Sequence, residues 1–259
     1  KKKGSKKKVY KKLIQKPYST FEGKIIRHIN IETLDPFGYT IGDTMVASHN
    51  VLVRTGNKLH VKSQQITIRN LLVIRQNQTF DSLLVKESER LVRSQPYVRD
   101  VSFFVKTVSK NSDSVDIFIR ELDTWTIIPV VVASGTRATI RLTERNFLGF
   151  GHEFKNAYTW YPKTGDDAFA TKYFVPNIRN TYINATLLYG NDEFGNFTKS
   201  LSVDRPFFSP FARWAGGVNF TQQFRTDSIQ TTDSLIILQR FKFNAQDYWA
   251  GHAFRIFKG

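Results

Sequence analysis

The sequence predicts two kinds of structure in one chain: an α+β unit of order β-α-α-β-β, then an all-β antiparallel region. Three observations carry that expectation. Hydrophobic periodicity switches between 2 and 3.6 within residues 24–122, and no convincing helical spacing recurs after Thr126. Aromatic residues are unevenly spread, 25 of the 36 lying in residues 126–259, which separates two compositions near Pro129. After Thr126 turn residues recur at short intervals, as between strands joined by hairpins.

Residues 24–32 alternate, with Ile25, Ile29 and Ile31 on one face, and read as a strand. Residues 34–64, with Asp35, Pro36, Gly38, Gly42, Gly56 and Asn57, read as an irregular excursion. Ile68, Leu71, Leu72 and Arg75 place a helix over 65–75. A turn at Gln76–Phe80 leads to a second helix, capped by Asp81 or Ser82 and ended near Pro96, because the residue before proline avoids helical dihedrals. Val101, Phe103 and Val105 share a face of the next strand, and Val115, Ile117 and Ile119 a face of the last, with Ser112–Asp113 in the turn.

From Thr126, strand-like stretches lie near 127–133, 137–145, 152–161, 169–178, 181–190, 196–205, 212–225, 235–243 and 247–258. Phe154, Tyr158 and Trp160 alternate with Glu153, Lys155 and Thr159, and Ile183, Ala185, Leu187 and Tyr189 with Asn184 and Thr186. A transmembrane barrel with one face to lipid gives this dyad, and so does a soluble β-sandwich. The longest apolar run, Ile127 to Ala133, is far short of the ~20 residues a membrane helix needs, whereas a barrel strand needs only ~9–11.

Residues 1–16 hold nine lysines and no acid, residues 17–125 carry 14 basic and 12 acidic side chains, and residues 126–259 carry 15 and 10. Over half of the +16 net charge therefore sits in a short arm. A solvated arm is the first reading, with contact to phosphate or anionic lipid the second. No specific nucleic-acid partner is expected. The absence of cysteine excludes disulfides, thiolate metal sites and cysteine nucleophiles. The five histidines show no metal-ligand spacing, and no G-x-S-x-G, P-loop or HExxH is present, so neither catalysis nor a cofactor or metal is expected.

Asn57-Lys-Leu-His60, Ile66-Thr-Ile-Arg69 and Leu71-Leu72 resemble the opening of a POTRA domain of the outer-membrane assembly superfamily that includes BamA. Glu87-Ser-Glu-Arg-Leu-Val-Arg-Ser-Gln-Pro-Tyr-Val-Arg-Asp-Val101 is similar to that domain's second helix and edge strand. Asp123-Thr-Trp-Thr126 resembles the domain-to-barrel junction of a bacterial surface-antigen, Bacteroidetes-type branch. Thr143-Glu-Arg-Asn-Phe-Leu-Gly-Phe-Gly151 resembles the first barrel hairpins, and Val203-Asp-Arg-Pro-Phe-Phe-Ser209 and Arg213-Trp-Ala-Gly-Gly217 are similar to stretches of the same branch.

The resemblance implies three parts: a basic tail over 1–23, a POTRA-like periplasmic domain over 24–124, and over 125–259 the first strands of an outer-membrane β-barrel. Barrels of this superfamily have about sixteen strands. Only about nine strand-like segments fit here, so the barrel is expected to be incomplete and the chain truncated within it. The resemblance also implies a function. Unfolded outer-membrane or secreted proteins would add a strand at a free edge formed by Arg99, Val101, Ser102, Phe103, Val105 and Lys106, with lipid around the barrel and accessory lipoproteins as further partners. Asn146, Gly149 and Gly151 are expected to be structural turn residues. A passive pore of the same fold is the alternative, and a soluble basic nucleic-acid-binding β-protein the remote one.

Overall fold

The computed structural model describes residues 17–42, 51–109, 112–230, 232 and 235–254. The lysine-rich residues 1–16 lie outside them. A three-stranded sheet is built from β1 (Ile25–Leu34), β2 (Val98–Thr107) and β3 (Ser114–Asp123), in the order β1-β3-β2. β1 runs parallel to β3, and β2 antiparallel to it. Ile26, Ile29, Ile31, Val101, Phe103, Val115, Ile117 and Ile119 point to one side and form the core with residues from the connecting segments, among them Phe21, Ile68, Phe80, Val85, Val92 and Tyr97.

Alternation places β2 and β3 as expected, but β1 departs from it. The pairing of β1 slips between Ile26 and His28, so Ile26 is buried and Ile25 exposed. A bulge adds one residue to the strand and reverses the facing of everything before it, which is why Ile25 leaves the face of Ile29 and Ile31.

Three helices connect β1 to β2, one more than expected. α1 (Val51–Leu59) lies within the segment read as irregular, so the order is β-α-α-α-β-β. Its burial pattern explains the discrepancy: no residue of α1 is fully buried, so it lacks the inward apolar stripe that marks a packed helix. α2 (Gln65–Arg69) is shorter than its periodicity suggests, and Leu71 and Leu72 continue it in tight turns, their N–H groups bonded to the Ile68 and Arg69 carbonyls. α3 (Ser82–Arg93) begins where Asp81 Oδ1 accepts from Leu83 N (2.8 Å) and Leu84 N (3.2 Å), and ends three residues before Pro96.

The second sheet is an eight-stranded antiparallel meander. It runs through β4 (Ile127–Ala133), β5 (Ala138–Phe147), β6 (His152–Trp160), β7 (Asp167–Val175), β8 (Asn184–Asn191), β9 (Phe197–Arg205), β10 (Trp214–Gln230) and β11 (Ile236–His252) in sequence order. It does not close: β4 and β11 are its two edges. The stretches expected near 235–243 and 247–258 are one strand. Asn244, Ala245 and Gln246 are polar or small, yet pair in unbroken register with Gln222, Thr221 and Phe220, because no turn-forming pair separates them. No helix among the described residues is long and apolar enough to cross a membrane, which says nothing of strands.

Candidate functional site

Two features stand out: the outer rim of β2, and the junction between the sheets.

β2 pairs only with β3, so one rim of β2 faces away from the sheet. Val108 N bonds to Ser114 O, and in an antiparallel ladder directly opposed residues alternate between bonded and non-bonded pairs. The backbone groups of Ser102, Phe104 and Lys106 therefore point inward to Arg120, Phe118 and Asp116, and those of Val101, Phe103 and Val105 point outward. Side chains already occupy part of this rim. Asp100 Oδ1 accepts from Val101 N (2.8 Å), an Arg93 guanidinium N–H donates to Val101 O, and the Tyr18 hydroxyl donates to Phe103 O (3.3 Å) and to Glu89 Oε2 (2.9 Å). Burial, and next the charge of Glu89, push the Tyr18 phenol well above the usual tyrosine range, so it stays a donor. Val101 and Phe103 anchor the strand in the core and Val105 packs against it, whereas Arg99 is exposed and reaches the Pro36 carbonyl (3.4 Å). Ser102 and Lys106 are on the opposite face, where the Lys106 ammonium lies over the Phe118 ring at 5.1 Å.

At the junction, β3 ends in two buried acids. Asp123 Oδ2 lies 2.9 Å from His60 Nε2 and 2.8 Å from Ser63 N, and the Ser63 hydroxyl donates to Oδ1. Asn146 completes the cluster: its amide donates to Ser63 Oγ (2.9 Å) and its oxygen accepts from Gly151 N (2.7 Å). Glu121 is fully buried, and neither carboxyl oxygen has a hydrogen-bond partner among the described residues. Burial first, and then the charge of Asp123, push its carboxyl up to about 10, so it is neutral at pH 7. Serine, histidine and aspartate meet here, but the Ser63 hydroxyl bonds the acid and not the imidazole, so no nucleophile–base pair is formed. Among the described residues no group of three or more acids and histidines could hold a metal ion.

Gly149 and Gly151 lie in the β5–β6 turn, with Asn146 just before it at the end of β5. Gly149 (φ 76°) and Gly151 (φ 71°) occupy left-handed backbone. A Cβ on Gly149 would lie 2.4 Å from the Lys62 carbonyl, and one on Gly151 2.8 Å from the Tyr97 hydroxyl. The Gly149 carbonyl accepts from Thr67 Oγ1 (2.7 Å) and Gln64 N (2.9 Å). The β5–β6 turn is thus pressed onto the α+β unit. Two further loops at the same end dock beside it. The 176–183 loop donates from Asn177 to the Asn70 carbonyl and from the Tyr182 hydroxyl to Leu71 O (3.3 Å). In the 206–213 loop Phe208 stacks on Tyr182 at 3.6 Å, and its carbonyl accepts from Arg90 (3.3 Å). The sequence motifs hold His60, Asp123, Asn146 and both glycines but not Ser63, and no spacing signal links Ser63 to Asp123, 60 residues further on.

The large sheet gathers apolar side chains into rows, with a polar row between them on the same face, where Asn156, Thr171, Lys199, Gln222 and Asn244 align, Thr171 donating to Asn156 (2.9 Å) and Gln222 to Asn244 (3.1 Å). Registers put Phe154, Tyr173, Leu187, Leu201 and Phe220 in one row, and Ile140, Tyr158, Phe169, Phe197 and Phe224 in a parallel row of the same face. The opposite face carries Glu153 bonded to Lys155 (2.9 Å), and Ser200 and Ser202 donating to Asn219 (2.9 and 2.7 Å). Ile140, Tyr158, Leu187, Leu201 and Phe220 of the apolar rows are exposed, Leu187 by 53 %, and the other five are half-buried.

No family model and no curated protein matches the chain. Among solved structures it is similar to BamA from Haemophilus ducreyi lacking POTRA domains 1–3, with 12% identity and a TM-score of 0.42 over 86% of this chain and 43% of that one. It is also similar to CdiB from Acinetobacter baumannii, with 8% identity and a TM-score of 0.47 over 89% of this chain and 42% of that one. The chain spans less than half the length of either.

Proposed function

We propose that the chain is an outer-membrane protein of the assembly and translocation superfamily. In this reading the meander is part of a transmembrane barrel, and the three-stranded unit is a periplasmic POTRA-like domain that receives unfolded clients by strand addition. One observation carries it: an antiparallel sheet with rows of exposed apolar side chains, Ile140, Tyr158, Leu187, Leu201 and Phe220 among them, capped at one end by a unit with an open strand edge. In this reading lipid covers the exposed apolar rows. The sequence resemblance, with its surface-antigen signatures, supports the same branch.

At the rim of β2, Phe103 N and both backbone groups of Val105 point outward with no side-chain partner among the described residues. A client strand would bond there through its main chain, and so with little dependence on its sequence. Val105→Pro removes one outward donor at an edge position that tolerates proline. It is expected to weaken binding of extended outer-membrane-protein peptides, measured by fluorescence anisotropy on the full chain in detergent, with the fold kept. Ser102→Pro instead breaks a ladder bond and should lower stability. Unchanged affinity in folded Val105→Pro would place client binding elsewhere.

A further inference from the structure

α1 is a helix turned inside out. Asn57 clasps the backbone of Phe37, donating to its carbonyl (3.0 Å) and accepting from its N–H (3.2 Å), and Gly56 abuts the Phe37 ring. At its C-terminal end His60 is fixed by Asp123. Gly56 and Asn57 thereby define the side that faces the protein. At 100° per residue Val51 falls opposite them and Leu59 on the outer flank, while Leu52, four residues before Gly56, borders the protein-facing side. Val51 is 71 % exposed, Leu52 79 % and Leu59 62 %, and Val61 just beyond is exposed too. Such a short helix is marginal in water without a packed apolar face, and here the apolar face points out.

We infer that α1 lies in the interfacial layer of the membrane, its Val51–Leu59 face among the acyl-chain ends and its basic side chains among anionic headgroups. The inference rests on the membrane reading above. Three observations select a bilayer as the occupant. Arg54 and Lys58 flank the apolar stripe, and α1 contains no acidic residue. Position comes next: Phe37 and Trp125 rings stand 5.8 Å apart beneath the helix, and the Trp125 indole donates to the Ile127 carbonyl at the start of β4. The helix therefore sits at the end of the sheet where its edge strand begins, at the level where a spanning strand would leave the hydrocarbon. Finally, an apolar cavity of about 360 Å³ lies between Phe37, Leu52, Val53, Gly56 and Trp125, beside the exposed Leu52. An amphipathic helix with this division of residues binds a surface through buried apolar area plus attraction to anionic lipid.

The chain has no cysteine, so a single introduced thiol labels one place. A nitroxide is attached at Leu59→Cys, and separately at Val51→Cys, in the full chain reconstituted into phosphatidylcholine–phosphatidylglycerol 3:1 vesicles. Accessibility to oxygen and to a water-soluble nickel chelate is compared with labels at Leu187→Cys on the apolar sheet face and Lys86→Cys on α3. Both α1 labels are expected to favour oxygen several-fold more than Lys86→Cys, at a shallower depth than Leu187→Cys. Arg54→Glu with Lys58→Glu should reduce that preference in these vesicles and change it little in pure phosphatidylcholine. If the α1 labels match Lys86→Cys while Leu187→Cys reports lipid, the inference is overturned and the membrane reading stands. Labels shielded from both agents would mean that protein, a second copy or another chain, covers the helix, and would overturn it as well. A water-exposed Leu187→Cys would overturn the membrane reading and this inference together.

Discussion

The α+β unit and the meander treat their apolar side chains in opposite ways. Among the described residues, all the buried apolar side chains lie between Phe21 and Leu122 except Ala212 and Ala215, and those two alanines belong to or border a loop that docks on the unit. The meander contributes Val131, Ile140, Leu187 and Leu238 to the exposed set. The first region satisfies its side chains with one another, as a domain in water does. The second holds its backbone together by ladder bonds and leaves its side chains for another medium. On the reading proposed above, a single chain with both habits sits at a membrane boundary.

The sharpest way to break that comparison is to separate the regions. Residues 17–124, beginning early enough to keep Tyr18 and Phe21 in the core, are expected to be soluble and to show mixed helix–strand circular dichroism. Residues 125–259 are expected to need detergent or lipid. A soluble monomer from the second segment would favour a sandwich. Next in size, Phe103→Ala should cost ~3–5 kcal/mol in chemical denaturation, since the ring is almost fully buried. Leu187→Arg tests the opposite region: it should cost ~2–4 kcal/mol if that row lies at mid-membrane, whereas a water-exposed site would shift by ~0.5 kcal/mol or less.

Gly149→Ala addresses the seam between the regions. The new methyl meets the Lys62 carbonyl in left-handed backbone, at a cost of ~1–3 kcal/mol from conformation alone. Limited proteolysis between the regions should accelerate, with the circular dichroism of each unchanged. The smallest effect is a pH dependence. Glu121 has its folded-state pKa raised to about 10, far above an unfolded glutamate. Its contribution is therefore fully present at pH 4 and lost progressively as pH rises through 10. Glu121→Gln is expected to flatten the fall in melting temperature between pH 5 and 9, and an unchanged slope would assign it to other groups.

How much of this was readable follows from the range of each interaction. Strands β2 and β3 were legible because alternation is local and one face is buried. The slip at Ile26 was not, because the bulge is defined by pairing with β3, some ninety residues away. α1 was missed because its outward apolar face and its Gly and Asn contacts look like a loop. The rim positions came from resemblance, but which backbone groups face outward, and that Tyr18 and Arg93 already occupy two of them, needed the register. The Asp123 cluster draws on three separate segments, 60–63, 123 and 146–151, and the motifs that held His60, Asp123 and Asn146 did not show that they meet.

The order of strands in the two sheets has a consequence for how each can form. In the meander every strand pairs with its neighbours in sequence, so the sheet can grow hairpin by hairpin, each closure spanning a short loop. The small sheet cannot. Its central strand, β3, is the last to occur along the chain, and β1 must wait for a partner from Ser114–Leu122. A chain emerging N-terminus first therefore exposes β1, all three helices and β2 without a sheet to pack on, and completes the unit in one late step. The non-local sheet is the slower to nucleate, and its completion places Asp123 beside Ser63, the contact on which the junction with the meander depends.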